Sequence, residues 1–352
     1  MTKSTNDIKI LDVTIRDGSY AVNYQFTEEQ VFAVAQALDR AGVDYIEVGH
    51  GCGLCAGEKV GLPPAASDVA QVRSAKAAVK RAKIGVIANP EPGTLPRDID
   101  SVIDHLDFIR FAANCDNPSI LEKNISHARS RRPDIEIFVQ LMRSTRVKPE
   151  KLVDSMKIAE DMGVNIAYLV DTAGHFLPEQ VFDLISRIRE SCPIGVGFHG
   201  HNNMGLANAN SLAAVRAGAV SIDASLKGIG RAAGNAQLEA IVSLLRRTGM
   251  ALHVDFDQLL RAGEELVAPI MPPSKGIAAI DLTTADLNID VYPLSIYERI
   301  SAEANVDLTT LIRAIAANLG TVEIELDGIE RALKKLGKDP EKVLAAIGIK
   351  KR

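Results

Sequence analysis

Ile166-Ala167-Tyr168-Leu169-Val170-Asp171-Thr172, continued by a segment from Pro178 to Ser191 and then by Ile194-Gly195-Val196-Gly197-Phe198-His199-Gly200-His201, reads as one βαβ unit. Both ends are short β-rich apolar runs, and the middle carries apolar residues at helical spacing. Pro178 suits the first turn of that helix, where a missing N–H costs nothing. The same rhythm runs outward in both directions. Strands are expected at residues 8–15, 45–48, 83–88, 108–112, 135–141, 166–170, 194–199 and 220–225. Helices are expected at 27–41, 67–82, 97–105, 119–131, 149–162, 178–191, 205–217 and 236–248. Thr27 with Gln30 has capping-box spacing, Pro149 suits a first turn, and Gly42 and Gly163 stand where helices should close. Eight βα units in about 245 residues match an α/β fold of the (β/α)8 TIM barrel type in size and count. A doubly wound open sheet is the competing reading. It usually brings a glycine-rich dinucleotide turn after the first strand, and Arg16-Asp17-Gly18-Ser19-Tyr20 is not one.

After about Met250 the rhythm changes to helix-like stretches at 257–268, 293–305, 308–318 and 326–337. The expected organisation is a barrel catalytic domain over 1–250 and a small helical C-terminal domain over 251–352. That domain should either cover the barrel mouth or make a subunit contact, with the Pro-rich turn Met271-Pro272-Pro273-Ser274-Lys275-Gly276 as the hinge. The end, 339–352, reads as an amphipathic helix with a basic tail. Lys plus Arg number 40 and Asp plus Glu 45 in the 352 residues, a net charge of −5 that offers no basic field for nucleic acid. The polar opening has no apolar segment behind it that suits a signal peptide or a membrane span, so a soluble cytoplasmic protein is expected. Four cysteines are too few for a disulfide scaffold, and Cys52-Gly53-Leu54-Cys55, without a second CxxC, reads as two loop thiols.

In such barrels the chemistry lies at the C-terminal ends of the strands. On this reading Arg16 and Asp17 end strand 1, Glu47 and His50 end strand 2, and Arg110 and Asn114 end strand 4. Asp171 and Thr172 end strand 6, His199 and His201 end strand 7, and Lys227 with the loop Gly228-Ile229-Gly230-Arg231-Ala232-Ala233-Gly234-Asn235 follows strand 8. Residues i and i+2 of a strand point the same way, so both imidazoles can reach one ion. Strands 1 and 7 flank strand 8 in a closed barrel, which brings Asp17 to the same place. One carboxylate and two imidazoles suit Mn2+, Zn2+, Co2+ or Fe2+, and Mg2+ where water and substrate oxygens complete the shell. Blander readings stand beside these. Asp17 can be a structural partner of Arg16, Asn235 a helix cap, His50 a loop residue bonded to Glu47 or backbone, and Lys227 a solvated cation rather than a Schiff-base former.

The Arg16-Asp17 pair, the His199-x-His201 pair and the GIGRAAGN loop from Gly228 to Asn235 together resemble the DRE-TIM metallolyase superfamily, the HMGL-like enzymes. Within it, Gly42-Val43-Asp44-Tyr45-Ile46-Glu47-Val48-Gly49-His50-Gly51 followed by Gly53-Leu54 is most similar to the 4-hydroxy-2-oxovalerate aldolases, as are Asp171-Thr172-Ala173-Gly174 and Val291-Tyr292. The resemblance covers residues 8–248. It implies a carbon–carbon lyase, a divalent-metal-dependent aldolase that interconverts a 4-hydroxy-2-oxo acid with pyruvate and an aldehyde through a metal-bound pyruvate enolate. It implies Asp17, His199 and His201 as metal ligands, Asn235 as a further ligand or a neighbour of one, and Mn2+ as the leading ion ahead of Mg2+, Co2+ or Zn2+. Arg16 is then placed to stabilise the developing oxyanion, a task that suits its permanent charge and planar donors. Thr172 and His199 join it at the substrate, and Tyr20, His50 and Tyr292 are the other candidates for catalysis. A homo-oligomer is also implied. Aldolases of this group hand their aldehyde to an acylating aldehyde dehydrogenase, but the C-terminal features of that coupling are not recognisable after Met271.

One position departs from the pattern. In the aldolases a histidine stands three residues after the metal aspartate and takes the proton of the 4-hydroxyl; here that residue is Tyr20. A phenol titrates near about 10 unless shifted, so Tyr20 serves as base only where the metal or Arg16 stabilises its phenolate. Otherwise the proton goes to water, His50 or Tyr292. The readings are therefore an aldolase, a Claisen-type synthase that condenses an acyl-CoA with a 2-oxo acid, or a repurposed non-aldolase homologue.

Overall fold

The structure is a computed structural model that describes residues 8–90, 94–251, 253–272, 277–319 and 324–349. The polar opening as far as Asp7, the hinge residues Pro273 to Gly276 and the last of the basic tail lie outside the described residues. Eight parallel strands close into a barrel in chain order: β1 (Lys9–Asp12), β2 (Tyr45–Val48), β3 (Lys83–Ala88), β4 (Phe108–Asn114), β5 (Glu136–Met142), β6 (Ile166–Asp171), β7 (Gly195–Gly200) and β8 (Ser221–Ala224). β8 completes the ring against β1, with Leu11 opposite Asp223. This is the TIM barrel expected from the alternation. The strands are buried on both faces, which is why they read as near-continuous apolar runs. The helix Glu28–Ala41 opens on its capping box, with Thr27 Oγ1 accepting from the Gln30 N–H at 3.3 Å and Gln30 Oε1 from the Thr27 N–H at 2.9 Å.

β1 is shorter than expected. The Asp12 carboxylate accepts from the Thr14 N–H at 2.9 Å and from the Thr14 hydroxyl at 2.7 Å, a local turn that takes Thr14 out of the ladder. Arg16 and Asp17 therefore sit in the turn beyond β1 and not on its end, with the Asp17 N–H bonded to the Val13 carbonyl at 2.8 Å. Arg110 likewise lies inside β4, which runs on to Asn114.

Asp12 is fully buried, and burial pushes its carboxyl up to about 7, helped by Glu239 and Asp223 and opposed by the bonds from Thr14. The folded carboxyl thus holds its proton more tightly than the unfolded one. Its contribution is intact at acidic pH and is lost as pH rises towards 7. Asp12→Asn cannot ionise, so its Tm is expected to exceed that of the wild type at about pH 8 and to lose that advantage near pH 4. Calorimetry at the two pH values checks this; an equal difference at both would refute the burial argument.

Side chains facing the barrel interior stack in layers at a period of two along the strands. Tyr45, Phe108, Phe138 and Tyr168 form an aromatic floor, with the two phenylalanine centroids 5.1 Å apart. Two residues further along the same strands come Glu47, Arg110 and Gln140, joined by Asp223 of β8. Arg110 reaches Asp223 through two parallel bonds of 2.8 Å and Glu47 at 3.3 Å, and Gln140 donates to Asp223 at 3.3 Å. This charged layer is the base on which the mouth is built.

The helix Phe256–Ala262 and the π-helical turn Gly263–Val267 share the barrel's core through Leu259, Ala262 and Val267. A second core begins only at Ile289 and is formed by Leu294–Ala304, Leu308–Ala316, Leu326–Lys335 and Pro340–Ala346. The change of packing thus falls later than the change of sequence rhythm near Met250. The helix Ala279–Asp286, which the periodicity did not mark, lies against the loop after β6, where His175 Nδ1 meets the Ala285 carbonyl at 2.6 Å. The C-terminal region reaches the barrel mouth, where Asp290 and Tyr292 line a cavity together with Arg16 and His199. Among the described residues, no helix is long and apolar enough to cross a membrane.

Candidate functional site

Asp17 comes from the turn beyond β1 and His199 and His201 from the end of β7, yet their ligating atoms lie within 4.8 Å of one another, and all three residues are buried. His199 Nδ1 is 2.8 Å from Asp223 Oδ2, and His201 Nδ1 is 3.2 Å from the Asp171 carbonyl oxygen. An ionised carboxylate and a carbonyl only accept, so both Nδ1 atoms carry a proton, which leaves Nε2 as the atom each ring can offer to an ion. His201 Nε2 is buried with no partner, 3.8 Å from Asp17 Oδ2. Burial and the nearby Arg231 push the His201 imidazole down to about 3, which keeps it neutral at ordinary pH. Burial presses the Asp17 carboxyl upward, but Arg16 and the two histidines outweigh it and hold the group well below the usual carboxylate range. A deprotonated carboxylate and neutral imidazoles are the states a divalent cation needs. The residues present fit such an ion.

Asn235 is not a helix cap, since the helix Leu238–Arg246 starts after Gln237. Instead its Nδ2 donates to Asp17 Oδ2 at 2.7 Å and to the Ile229 carbonyl at 3.1 Å, and its Oδ1 is buried without a partner. Gly230 permits this approach: a Cβ there would lie 2.3 Å from Asn235 Nδ2 and 2.9 Å from Asp17 Oδ2. Arg16 is pinned on two sides, donating through Nε to Glu47 and through Nη1 to Asp17, each at 2.6 Å. Its Nη2 is buried and unpaired. The guanidinium therefore presents one free edge to whatever enters.

Arg16, Asp17, Tyr20, Thr172, His199, His201 and Tyr292 all line one cavity of about 270 Å3 at the barrel mouth. That is near the lower end of the sizes typical of small-molecule sites. Thr172 shapes its lip, with Oγ1 accepting from the Arg143 N–H at 2.8 Å. Tyr20 sits against the rings of Tyr24 and Tyr292, with centroids 5.5 and 4.9 Å away. Burial, with Cys52 and Asp17, pushes the Tyr20 phenol well above its ordinary range, so it stays protonated. His50 is not among the residues lining this cavity. Its Nε2 faces the Leu62 carbonyl at 2.9 Å and its Nδ1 accepts from the Cys52 N–H at 3.1 Å, so both ring nitrogens are occupied by backbone. Lys227 pairs with Glu264 away from the cavity.

Several lining residues were not foreseen as site residues. Arg231, inside the quoted glycine-rich loop, pairs with Asp290, and Arg143 pairs with the other oxygen of Asp290 at 3.4 Å. Asp290 thus ties the C-terminal region to the loops after β5 and β8; the one hint was an acid set between Ile289 and Val291. Cys52, read as a plain loop thiol, lines the cavity with its sulfur 3.5 Å from the Tyr292 hydroxyl. All four cysteines are free. A second cavity of about 500 Å3 opens above, between barrel and C-terminal region, and shares Tyr20, Thr172, Arg231, Asp290 and Tyr292 with the first.

Residues 7–267 match the HMGL-like family model. The chain belongs to the HMGL-like family. It is an enzyme of the carbon–carbon lyase class. An oxaloacetate decarboxylase of Mycobacterium tuberculosis is 35% identical to it over 316 residues, 90% of this chain and 93% of that protein. A 4-hydroxy-2-oxovalerate aldolase of Geobacillus thermodenitrificans is 41% identical over 270 residues, 76% of this chain and 78% of that one. The carboxyl transferase domain of Rhizobium etli pyruvate carboxylase superposes with a TM-score of 0.75 at 14% identity, covering 97% of this chain and 62% of that one, a likeness of fold alone.

The charged layer beneath this HMGL-like centre can be tested separately. Asp223 both orients His199 and balances the buried Arg110. Asp223→Asn is expected to lower metal affinity about 10–100-fold and to cost about 3–5 kcal/mol of stability, because Arg110 loses its bidentate partner. Metal titration and denaturant unfolding measure the two effects; wild-type values in both would show that the layer does not orient the ligands.

Proposed function

We propose that this HMGL-like enzyme is a divalent-metal-dependent lyase that releases pyruvate from a 2-oxo acid, acting as an aldolase on a 4-hydroxy-2-oxo acid. The observation that carries this reading is the convergence of buried, unpartnered polar atoms, His201 Nε2, Arg16 Nη2 and Asn235 Oδ1, around the Asp17–His199–His201 cluster. Asp17, His199 and His201 would hold the ion, with Asn235 beside them. When bound, the ion supplies Lewis acidity towards the 2-oxo carbonyl. Arg16 offers its free Nη2 edge to the oxygen that gains negative charge, and Glu47 and Asp17 keep that edge in place at no reorganisation cost. Tyr20 and Tyr292 line the cavity and keep their protons, so neither phenol serves as a proton-accepting base.

A second reading has its own observation. Cleavage of a 4-hydroxy-2-oxo acid requires a base for the 4-hydroxyl proton, whereas loss of CO2 from a 3-carboxy-2-oxo acid such as oxaloacetate requires none. Tyr20 is held protonated and His50 is bonded at both nitrogens, which favours the base-free reaction. The decarboxylase name of the Mycobacterium tuberculosis relative is in keeping with it.

One experiment addresses both. EDTA-treated protein is expected to lose pyruvate release from 4-hydroxy-2-oxopentanoate and from oxaloacetate, and to regain it with Mn2+, then less fully with Mg2+, Co2+ or Zn2+. Metal-only controls correct for the spontaneous decay of oxaloacetate. Full activity in stably metal-free protein would reject the mechanism, and the substrate restored faster identifies the reaction.

A further inference from the structure

Cys52 stands in the loop after β2 and lines the cavity that holds Asp17, His199 and His201. The loop is fixed on several sides. The Cys52 N–H donates to His50 Nδ1 at 3.1 Å, the Cys52 carbonyl accepts from Asn89 Nδ2 at 3.0 Å, and the Gly51 N–H donates to Ser19 Oγ at 3.1 Å. A Cβ at Gly51 would lie 2.8 Å from Tyr20 Cε2, so the chain is pressed against that ring. The sulfur is thereby set among phenols. It lies 3.5 Å from the Tyr292 hydroxyl and 3.7 Å from that of Tyr24, and the two hydroxyls are bonded to each other.

A neutral thiol accepts hydrogen bonds only weakly, so two hydroxyls beside it suit a sulfur that carries charge. Burial presses the Cys52 thiol upward, but His50, Tyr292 and Tyr24 outweigh it and hold the group below its ordinary range. Cys55 shows the opposite. Burial, with Asp68, pushes its thiol up to about 11, and it does not line the cavity. The thiolate is the reactive form, so Cys52 is a nucleophile in waiting. That the cavity takes a ligand stands on separate grounds: Arg16 Nη2 and His201 Nε2, in residues only 4% and 5% exposed, line it without a partner. Among the described residues lining it there is no lysine, and Lys227 pairs with Glu264 elsewhere. A carbonyl carbon in this cavity therefore meets sulfur and not an amine.

We propose that Cys52 is a covalent acceptor for the aldehyde that departs from pyruvate. The sulfur forms a bond to the carbonyl carbon, the π pair of the C=O bond moves to the oxygen, and the thiol proton reaches that oxygen by way of the Tyr292 hydroxyl. The product is a hemithioacetal. Nothing is oxidised or reduced, and the reverse step frees the aldehyde. Capture keeps the aldehyde in the cavity after its bond to pyruvate has opened. This rests on the aldolase reading of the metal cluster, since decarboxylation yields no aldehyde.

Acetaldehyde labelled with 13C at its carbonyl carbon tests it, on protein loaded with Mg2+ and oxamate so that the ion is diamagnetic and nothing turns over. NMR titration is expected to show a saturable, protein-bound tetrahedral carbon, distinct from that of the aldehyde hydrate. Its affinity should exceed that in Cys52→Ser by at least about ten-fold, because the thiol is already positioned in the cavity. Cys55→Ser should keep the signal. In the wild type, acetaldehyde should also slow the capture of Cys52 by iodoacetamide and leave that of Cys55 unchanged, as read by peptide mass spectrometry. Absence of a saturable carbon in the wild type, its persistence at full affinity in Cys52→Ser, or equal protection of Cys55 overturns the proposal. If 4-hydroxy-2-oxopentanoate releases pyruvate while no adduct forms, the inference on Cys52 fails alone; if no 4-hydroxy-2-oxo acid is cleaved, the aldolase reading fails and takes it along. Should Cys52→Ser not fold, the protection of Cys52 in the wild type decides by itself.

Discussion

Asp17→Asn is expected to abolish pyruvate release, by at least about a thousand-fold, the scale of several kcal/mol of lost charge stabilisation. Three roles meet in this carboxylate. It supplies one of the clustered ligating atoms, accepts from Arg16 Nη1 at 2.6 Å, and accepts from Asn235 Nδ2 at 2.7 Å. An amide carries no charge and brings a donor of its own, which must face either the guanidinium or the Asn235 amide. The variant should therefore lose the ion, release Arg16 from its fixed orientation, and lose Asn235 from the centre together. Elemental analysis of purified protein reads the first effect and a coupled pyruvate assay the sum. Retention of a stoichiometric ion and of activity in a folded variant would show that Asp17 belongs to Arg16 alone, as the blander reading of the sequence allowed.

The other large effect runs in the opposite direction. Tyr20→His is expected to raise cleavage of a 4-hydroxy-2-oxo acid by about a hundred-fold, the lower end of what a positioned general base contributes. Tyr20 already lines the cavity with Arg16 and Asp17, so an imidazole there meets the substrate, whereas the native phenol is held protonated by burial. The gain should fade as pH falls below about 6.5, where an ordinary imidazole takes up its proton. Decarboxylation of oxaloacetate has no hydroxyl proton to lose and should not rise. The substitution also removes a ring packed on Tyr24 and Tyr292, so some loss of Tm is expected and is measured alongside. If cleavage stays flat while the ion and the fold persist, a missing base is not what limits this reaction.

Much of the cluster was legible because each of its signals is local. The His199-x-His201 spacing puts both rings on one side of a strand whatever the rest of the chain does, and Arg16-Asp17 follows an apolar run in the same way. Asn235 was ambiguous for the same reason: its neighbours along the chain suggest a cap, and only the approach of Gly230 to Asp17 shows where its amide goes. Asp290 carried almost no signal. Its partners Arg143 and Arg231 lie 147 and 59 residues away, on loops that meet only when the barrel is closed and covered. His50 is a similar case, since the Leu62 carbonyl and Cys52 N–H that occupy its ring come from the folding of its own loop. Cys52 reads as an idle thiol in the sequence because Tyr292, whose hydroxyl lies 3.5 Å from its sulfur, is 240 residues away along the chain.

The order of apolar runs and helical segments by itself determined a parallel α/β fold of eight strand–helix units, and their count, their size and the missing glycine-rich dinucleotide turn pointed to the barrel over an open doubly wound sheet; the closure itself is seen in the pairing of β8 with β1. It also determined which residue types stand at the strand ends, and hence that a carboxylate and two imidazoles can share an ion. Tertiary structure alone decided the protonation and the freedom of those groups. Whether an imidazole is neutral, a phenol keeps its proton, or an amide oxygen is left without a partner depends on burial and on charges brought from distant strands, and neither is a property of neighbouring residues in the chain.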